Sequence, residues 1–178
     1  MRDNDLFTYI ISTIQQGLIK RNITGITILQ SYQPTMQGTV STPVIYLSKL
    51  SQLRRGMPSK IDTYDDINDV IDHEEGQVYE SSFQIMTLWN QDPEIDTLTS
   101  SDLINSVAGI LQSEFCIQNL SAYGIQILKI LNINNPYFRD DRDYFELSPS
   151  LEITLTYNEY FTEQVDEISL FNYGLYSV

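Results

Sequence analysis

Between Thr99 and Phe115 the apolar residues Leu103, Ile104, Val107, Ile110, Leu111 and Phe115 return every three or four positions. From Leu151 to Asn158 the pattern is different: Leu151, Ile153, Leu155 and Tyr157 alternate with Glu152, Thr154, Thr156 and Asn158. The first spacing gathers one stripe on a helix, and the second turns one face of a strand inward. A chain carrying both periods needs helices layered on a sheet, which argues against an all-helical bundle and an all-strand sandwich.

The same reading extends along the chain. Leu6, Phe7, Ile10, Ile11, Ile14 and Leu18 predict an amphipathic helix over residues 4–20 that ends near Asn22. Thr99, with Asp102 three residues on, predicts the cap of a second helix over residues 99–115. ITGITIL (23–29) and TPVIYLSKL (42–50) read as strands separated by the Pro- and Gly-bearing SYQPTMQGTVS (31–41), and Pro43 suits a strand's first position or an edge. Residues 77–90 set Tyr79, Phe83, Ile85 and Trp89 on one face and Val78, Met86 and Leu88 on the other. That predicts a central strand, half-buried early and buried on both faces late. Strands over 124–133 and 150–161 complete an α+β fold in which two helices pack on a mainly antiparallel sheet. A length of 178 residues suits a single domain, 1–178. One connection is long for such a domain, and it predicts a charged loop at about 54–76.

Charge is uneven. Lys and Arg total 10 against 24 Asp and Glu, for a net charge of -14, a balance that disfavours gripping nucleic-acid phosphates or an anionic membrane. Residues 1–60 hold seven bases and two acids, and the remainder three bases and twenty-two acids. Arg54, Arg55 and Lys60 are followed closely by Asp62, Asp65, Asp66, Asp69, Asp72, Glu74 and Glu75. A segment that changes sign midway either bridges copies of the chain head to tail or remains a solvated acidic loop.

Catalytic and metal motifs are missing from the sequence. An EF-hand spacing started at Asp66 fails where Val70 and Ile71 fall at its fifth and sixth positions. His73, the only histidine, lies in the expected loop beside Glu74 and Glu75, a poor setting for a held base or a metal ligand. No phosphate loop, nucleophile elbow or zinc-helix motif is present, and Asp140, Asp141 and Asp143 read as a solvated turn offset by Arg139 and Arg142. No enzyme and no cofactor are expected. Cys116, alone, forms no intramolecular disulfide and reads as a small core residue. No signal peptide or membrane span is visible. The final ISLFNYGLYSV predicts an apolar arm, about 168–178, containing Leu170, Phe171, Tyr173 and Tyr176. It is either a last strand of the domain's own sheet or a strap on another subunit.

The order DLFTYIISTI, ITILQSYQ, TPVIYLSKL, ESSFQIMTLW, SSDLINSVAGILQSEF and IQILKILNINNPYFRDDRDYFELSPSLEITLTYNEYF resembles the phage neck or tail-terminator proteins, also described as gateway or head-tail joining proteins. The resemblance implies a virion structural protein, made in the host cytoplasm, that forms a homohexameric ring in the neck. Such a ring ends the tail tube, joins the tail to connector or adaptor proteins, and lets DNA pass without specific binding. It implies no active site. On that reading Arg54, Arg55, Lys60, Leu170, Phe171, Tyr173 and Tyr176 are expected at subunit interfaces. Asp62, Asp65, Asp66, Asp69 and Asp72, with Asp140, Asp141 and Asp143, are expected to line the DNA channel, where acidic walls do not retain phosphates. The alternative is a non-enzymatic phage or bacterial adaptor that binds one partner through its C-terminal arm.

Overall fold

In a computed structural model, which describes residues 2–30, 42–68, 70–89, 98–139 and 145–166, the helical stripe and the alternating strand meet across one core. The elements are α1 (Asp3–Lys20), β1 (Thr27–Gln30), β2 (Val44–Asp65), β3 (Val70–Leu88), α2 (Ser100–Leu111), α3 (Glu114–Ser121), β4 (Ile125–Ile130), β5 (Tyr137–Arg139), β6 (Phe145–Leu147) and β7 (Ser150–Asp166). Five strands form one sheet in the order β1-β2-β3-β7-β4, with β1 parallel to β2 and every other pairing antiparallel. The α+β expectation and the central place of residues 77–90 both hold. β5 and β6 pair as a separate ribbon.

Helix α1 begins with Asp3 and Asp5 against its positive end and Lys20 in its last turn. It stops in a Schellman motif: Asn22 adopts φ 61°, its N–H reaches the Ile19 carbonyl, and the Ile23 N–H reaches the Leu18 carbonyl at 3.0 Å. The predicted cap of α2 is also in place, since Thr99 Oγ1 accepts from the Asp102 N–H at 3.1 Å and the Asp102 carboxylate accepts from the Thr99 N–H at 3.1 Å. The single helix expected over 99–115 is in fact two. Ser113 interrupts it, accepting from the Cys116 N–H and starting α3, so Phe115 belongs to the next helix and lies beneath the Lys20 ammonium.

Leu6, Phe7, Ile10, Ile14 and Leu18 of α1 and Leu103, Ile104, Val107 and Ile110 of α2 are buried against Ile45, Leu47, Phe83, Ile85, Leu151, Ile153 and Leu155 of the sheet. Phe7 meets Phe83 edge to face at 5.3 Å. Full burial of one such side chain contributes about 1.5–3 kcal/mol, so this layer dominates the stability of the fold. On the opposite sheet face Val44, Tyr46 and Met86 form a second, smaller buried cluster. The two helices approach closely because Gly17 has no side chain. A Cβ there would fall far inside contact distance of Ile110 Cγ2 and 3.1 Å from its Cγ1.

The largest departure from expectation concerns residues 54–76, which are strand and not loop. β2 continues to Asp65, turns through residues 66–68, and returns as β3, while β7 runs on to Asp166 and pairs with β3 as far as Val70. The result is a three-stranded arm that continues the core sheet. Its backbone is held by the β2–β3 and β3–β7 ladders, so it forms without an apolar alternation of its own. Pro58, which the sequence makes awkward for a strand, falls within the register shift between Arg55 and Ser59, where a ladder N–H is not required. Gly56 in the same bulge has φ 69°.

Candidate functional site

The sign change read from the sequence is laid out along the arm. Arg55 Nε contacts the Glu80 carboxylate at 2.7 Å, and Lys60 Nζ contacts that of Glu75 at 2.6 Å, each across the β2–β3 ladder. Arg54 lies over the Tyr79 ring at 5.7 Å. Arg55 and Lys60, expected to meet acids of a neighbouring copy, thus already have acids of their own chain, although their side chains remain largely exposed. Contact with Glu80 raises the Arg55 pKa, and contact with Glu75 raises that of Lys60.

Farther out, His73 lies between two carboxylates, with Nδ1 at 2.5 Å from Asp62 and Nε2 at 3.3 Å from Glu75. The hydrogen bond to Asp62, followed by that to Glu75, raises the imidazole pKa. Glu75 is in turn held below the usual carboxylate range, first by Lys60 and then by His73. The sequence put these groups on a loop unsuited to convergence, but the strand pairing Asp62↔His73 brings them together. Asp65 closes the tip turn, accepting from the Ile67 N–H at 3.0 Å and from Asn68 Nδ2 at 2.7 Å, and these bonds lower its pKa. Asp72 accepts from Gln164 Nε2 at 2.9 Å, and Asp66 is exposed in the turn. Asp69, Asp140, Asp141, Asp143, Leu170, Phe171, Tyr173 and Tyr176 lie outside the described residues.

Sequence reasoning ended the third strand of the arm at residue 161, short of Asp166, and missed the arm's apolar surface. Tyr160 covers Gly76, where a Cβ would lie 3.0 Å from the Tyr160 ring, and Leu53, Met57, Ile61 and Phe161 stand exposed. The available signal was the run of β-formers continuing past Tyr157 through YFTEQV.

Elsewhere, a pocket of about 320 Å³ lined by Thr24, Gly25, Ile26, Pro43, Trp89, Leu98 and Leu103 presents no ionisable side chain. Cys116 is fully buried, and burial pushes its thiol up to about 11. Among the described residues no group of His, Cys, Asp and Glu is placed to hold a metal ion, and no helix is long and apolar enough to cross a membrane.

The fold is similar to that of the sheath/tube terminator of an extracellular contractile injection system, PVC, seen by cryo-EM in its extended state. The TM-score is 0.50 at 8% identity, over 100% of this chain and 64% of that one. At that identity the likeness is one of architecture, and it defines a terminator-type α+β fold. No functionally curated protein matches the sequence. Residues 5–167 match the family described as E217 gateway protein gp29, and the chain belongs to that family of structural phage gateway proteins.

Proposed function

We propose that the chain forms a closed homohexameric ring in the neck of a phage virion, where it ends the tail tube and joins it to the head connector while DNA passes through the bore. The observation that carries this reading is membership of the gateway family over residues 5–167. The acidity of the chain supports it, because a bore that neutralised phosphates would release counterions and hold the genome. In this reading Arg54, Arg55, Lys60 and the apolar segment 168–178 contact neighbouring subunits. The acids Asp62, Asp65, Asp66, Asp69 and Asp72 face the passage, with Asp140, Asp141 and Asp143 as the second choice.

Purified virions should contain the protein at the head–tail junction, and phage lacking it should accumulate separate heads and tails. Its absence from virions would refute the proposal. Reversing each acidic cluster to Lys separately tests the lining. Slower DNA ejection that salt relieves places that cluster in the bore, whereas normal ejection from both variants removes the lumenal assignment.

A further inference from the structure

The arm has two bare edges, one basic up to Lys60 and the other acidic. β1 pairs with β2 only over Val44–Leu47, and β4 pairs with β7 only over Ile153–Tyr157. From those ladders to the tip the outer sides of β2 and β7 have no strand beside them among the described residues. Such long edges are templates for further pairing and are rarely left open. Residues 50–61 of β2 carry three bases, Arg54, Arg55 and Lys60, and no acid before Asp62 and Asp65 at the tip, whereas β7 from Asn158 on carries Glu159, Glu163 and Asp166 and no base.

We infer that these edges are the two halves of one interface, the β2 edge of each copy adding to the β7 edge of the next. The occupant of each edge is therefore a second copy of this chain, and the inference deepens the ring reading above, on which it rests. Charge selects this pairing over its rivals. Side by side in the same direction, two β2 edges would oppose the bases Arg54–Lys60 to each other and two β7 edges acids to acids, while the Arg54–Lys60 stretch against β7 opposes unlike signs.

Direction agrees. β2 and β7 are each antiparallel to β3, so both run from the core toward the tip. Copies related by rotation about an axis along the arm then pair β2 with β7 in parallel. Because each copy offers one edge of each kind, the contact is heterologous and repeats until the ring closes, with no arm edge left open. Within one chain Glu163 shares a row with Asp62, so an unshifted pairing would oppose like charges. Closed barrels require stagger, and a shift of about two residues keeps every side chain on its face while moving Glu163 toward the Lys60 row. The same pairing brings exposed apolar groups of one copy toward the other: Leu53, Met57 (94% exposed) and Ile61 on β2, Tyr160 and Phe161 on β7.

The test uses the full chain in two charge-reversed forms. One carries Arg54→Glu, Arg55→Glu and Lys60→Glu, and the other Glu159→Lys and Glu163→Lys. Alone, each form opposes like charges at every junction, and its association, read by native mass at low salt, should weaken at least about tenfold. Mixed in equal amounts, the two forms have complementary junctions throughout and should recover wild-type mass in rings of alternating composition. A second readout does not depend on these reversals: oxidising a Lys60→Cys, Glu163→Cys double variant should give a covalent ladder, whereas either single variant gives none. Wild-type rings alongside a mixture that stays dissociated and a double variant without a ladder overturn the edge pairing but leave the ring intact. A wild-type chain that remains monomeric at high concentration overturns both.

Discussion

Gly17→Ala is the substitution for which local propensity and packing give opposite answers. Gly17 lies inside α1, where alanine is favoured over glycine by about 1 kcal/mol in an ordinary helix. Yet the new methyl would collide with Ile110, a fully buried residue of α2. Overpacking of this kind costs about 1–3 kcal/mol, so the helical gain is cancelled or exceeded and the expected result is a net loss of up to about 2 kcal/mol. Ile110→Ala alone should cost about 2–5 kcal/mol through the cavity it opens. The double variant should be more stable than the sum of the two losses predicts, because the methyl added at position 17 then fills part of that cavity, with a coupling of about 0.5–3 kcal/mol. Urea unfolding at fixed protein concentration reads all three values from the midpoint at constant slope. A Gly17→Ala chain more stable than wild type by the full helical increment, with additive behaviour in the double, would show that α1 and α2 do not meet as described.

Three further outcomes follow from the caps and titratable groups. Thr99→Ala should destabilise the fold by about 0.5–2 kcal/mol in the same urea assay. It should also return the Asp102 pKa, lowered chiefly by the Thr99 hydroxyl, toward its ordinary value; an unmoved Asp102 titration would contradict the cap. His73, as the only histidine, should titrate by NMR above the ordinary imidazole value of about 6.5, and Asp62→Asn should lower it. Since the folded pKa is raised, the stabilisation from this contact is complete below the unfolded value and lost as pH rises through the folded one, so amide protection factors in the arm ladder, corrected for intrinsic exchange, should fall above that pH. Cys116 should resist thiol reagents in the folded chain and react at the free-thiol rate in denaturant; rapid labelling without denaturant would contradict its burial.

The parts legible in the sequence were those in which apolar side chains meet one shared core. Leu6 to Leu18, Leu103 to Ile110 and Leu151 to Tyr157 each show their buried face as a period, and each forms the predicted element. The arm was not legible for the complementary reason. Over most of Lys60–Glu75 both faces are polar, so no period of two appears, and the strands hold through backbone pairing and cross-strand partners that become neighbours only after folding. The break at Ser113 was hidden because Phe115 follows Leu111 at the spacing of an unbroken helix. The site was legible as a change of sign but not as geometry. Lys60 and Glu75 are distant in sequence, and nothing local announces their contact.

β3 is at once the middle strand of the core and the middle strand of the arm. Its 19 residues, at about 3.3 Å each, make one hydrogen-bonded beam roughly 60 Å long, clamped at one end beneath the helices. A flexible loop of similar length would lose about 1–2 kcal/mol of backbone entropy for every residue immobilised on docking. This beam meets that cost when the domain folds. Its surfaces therefore arrive at a partner already aligned, and a load on the tip passes through the β3 ladder directly to Phe83 and Ile85 in the core.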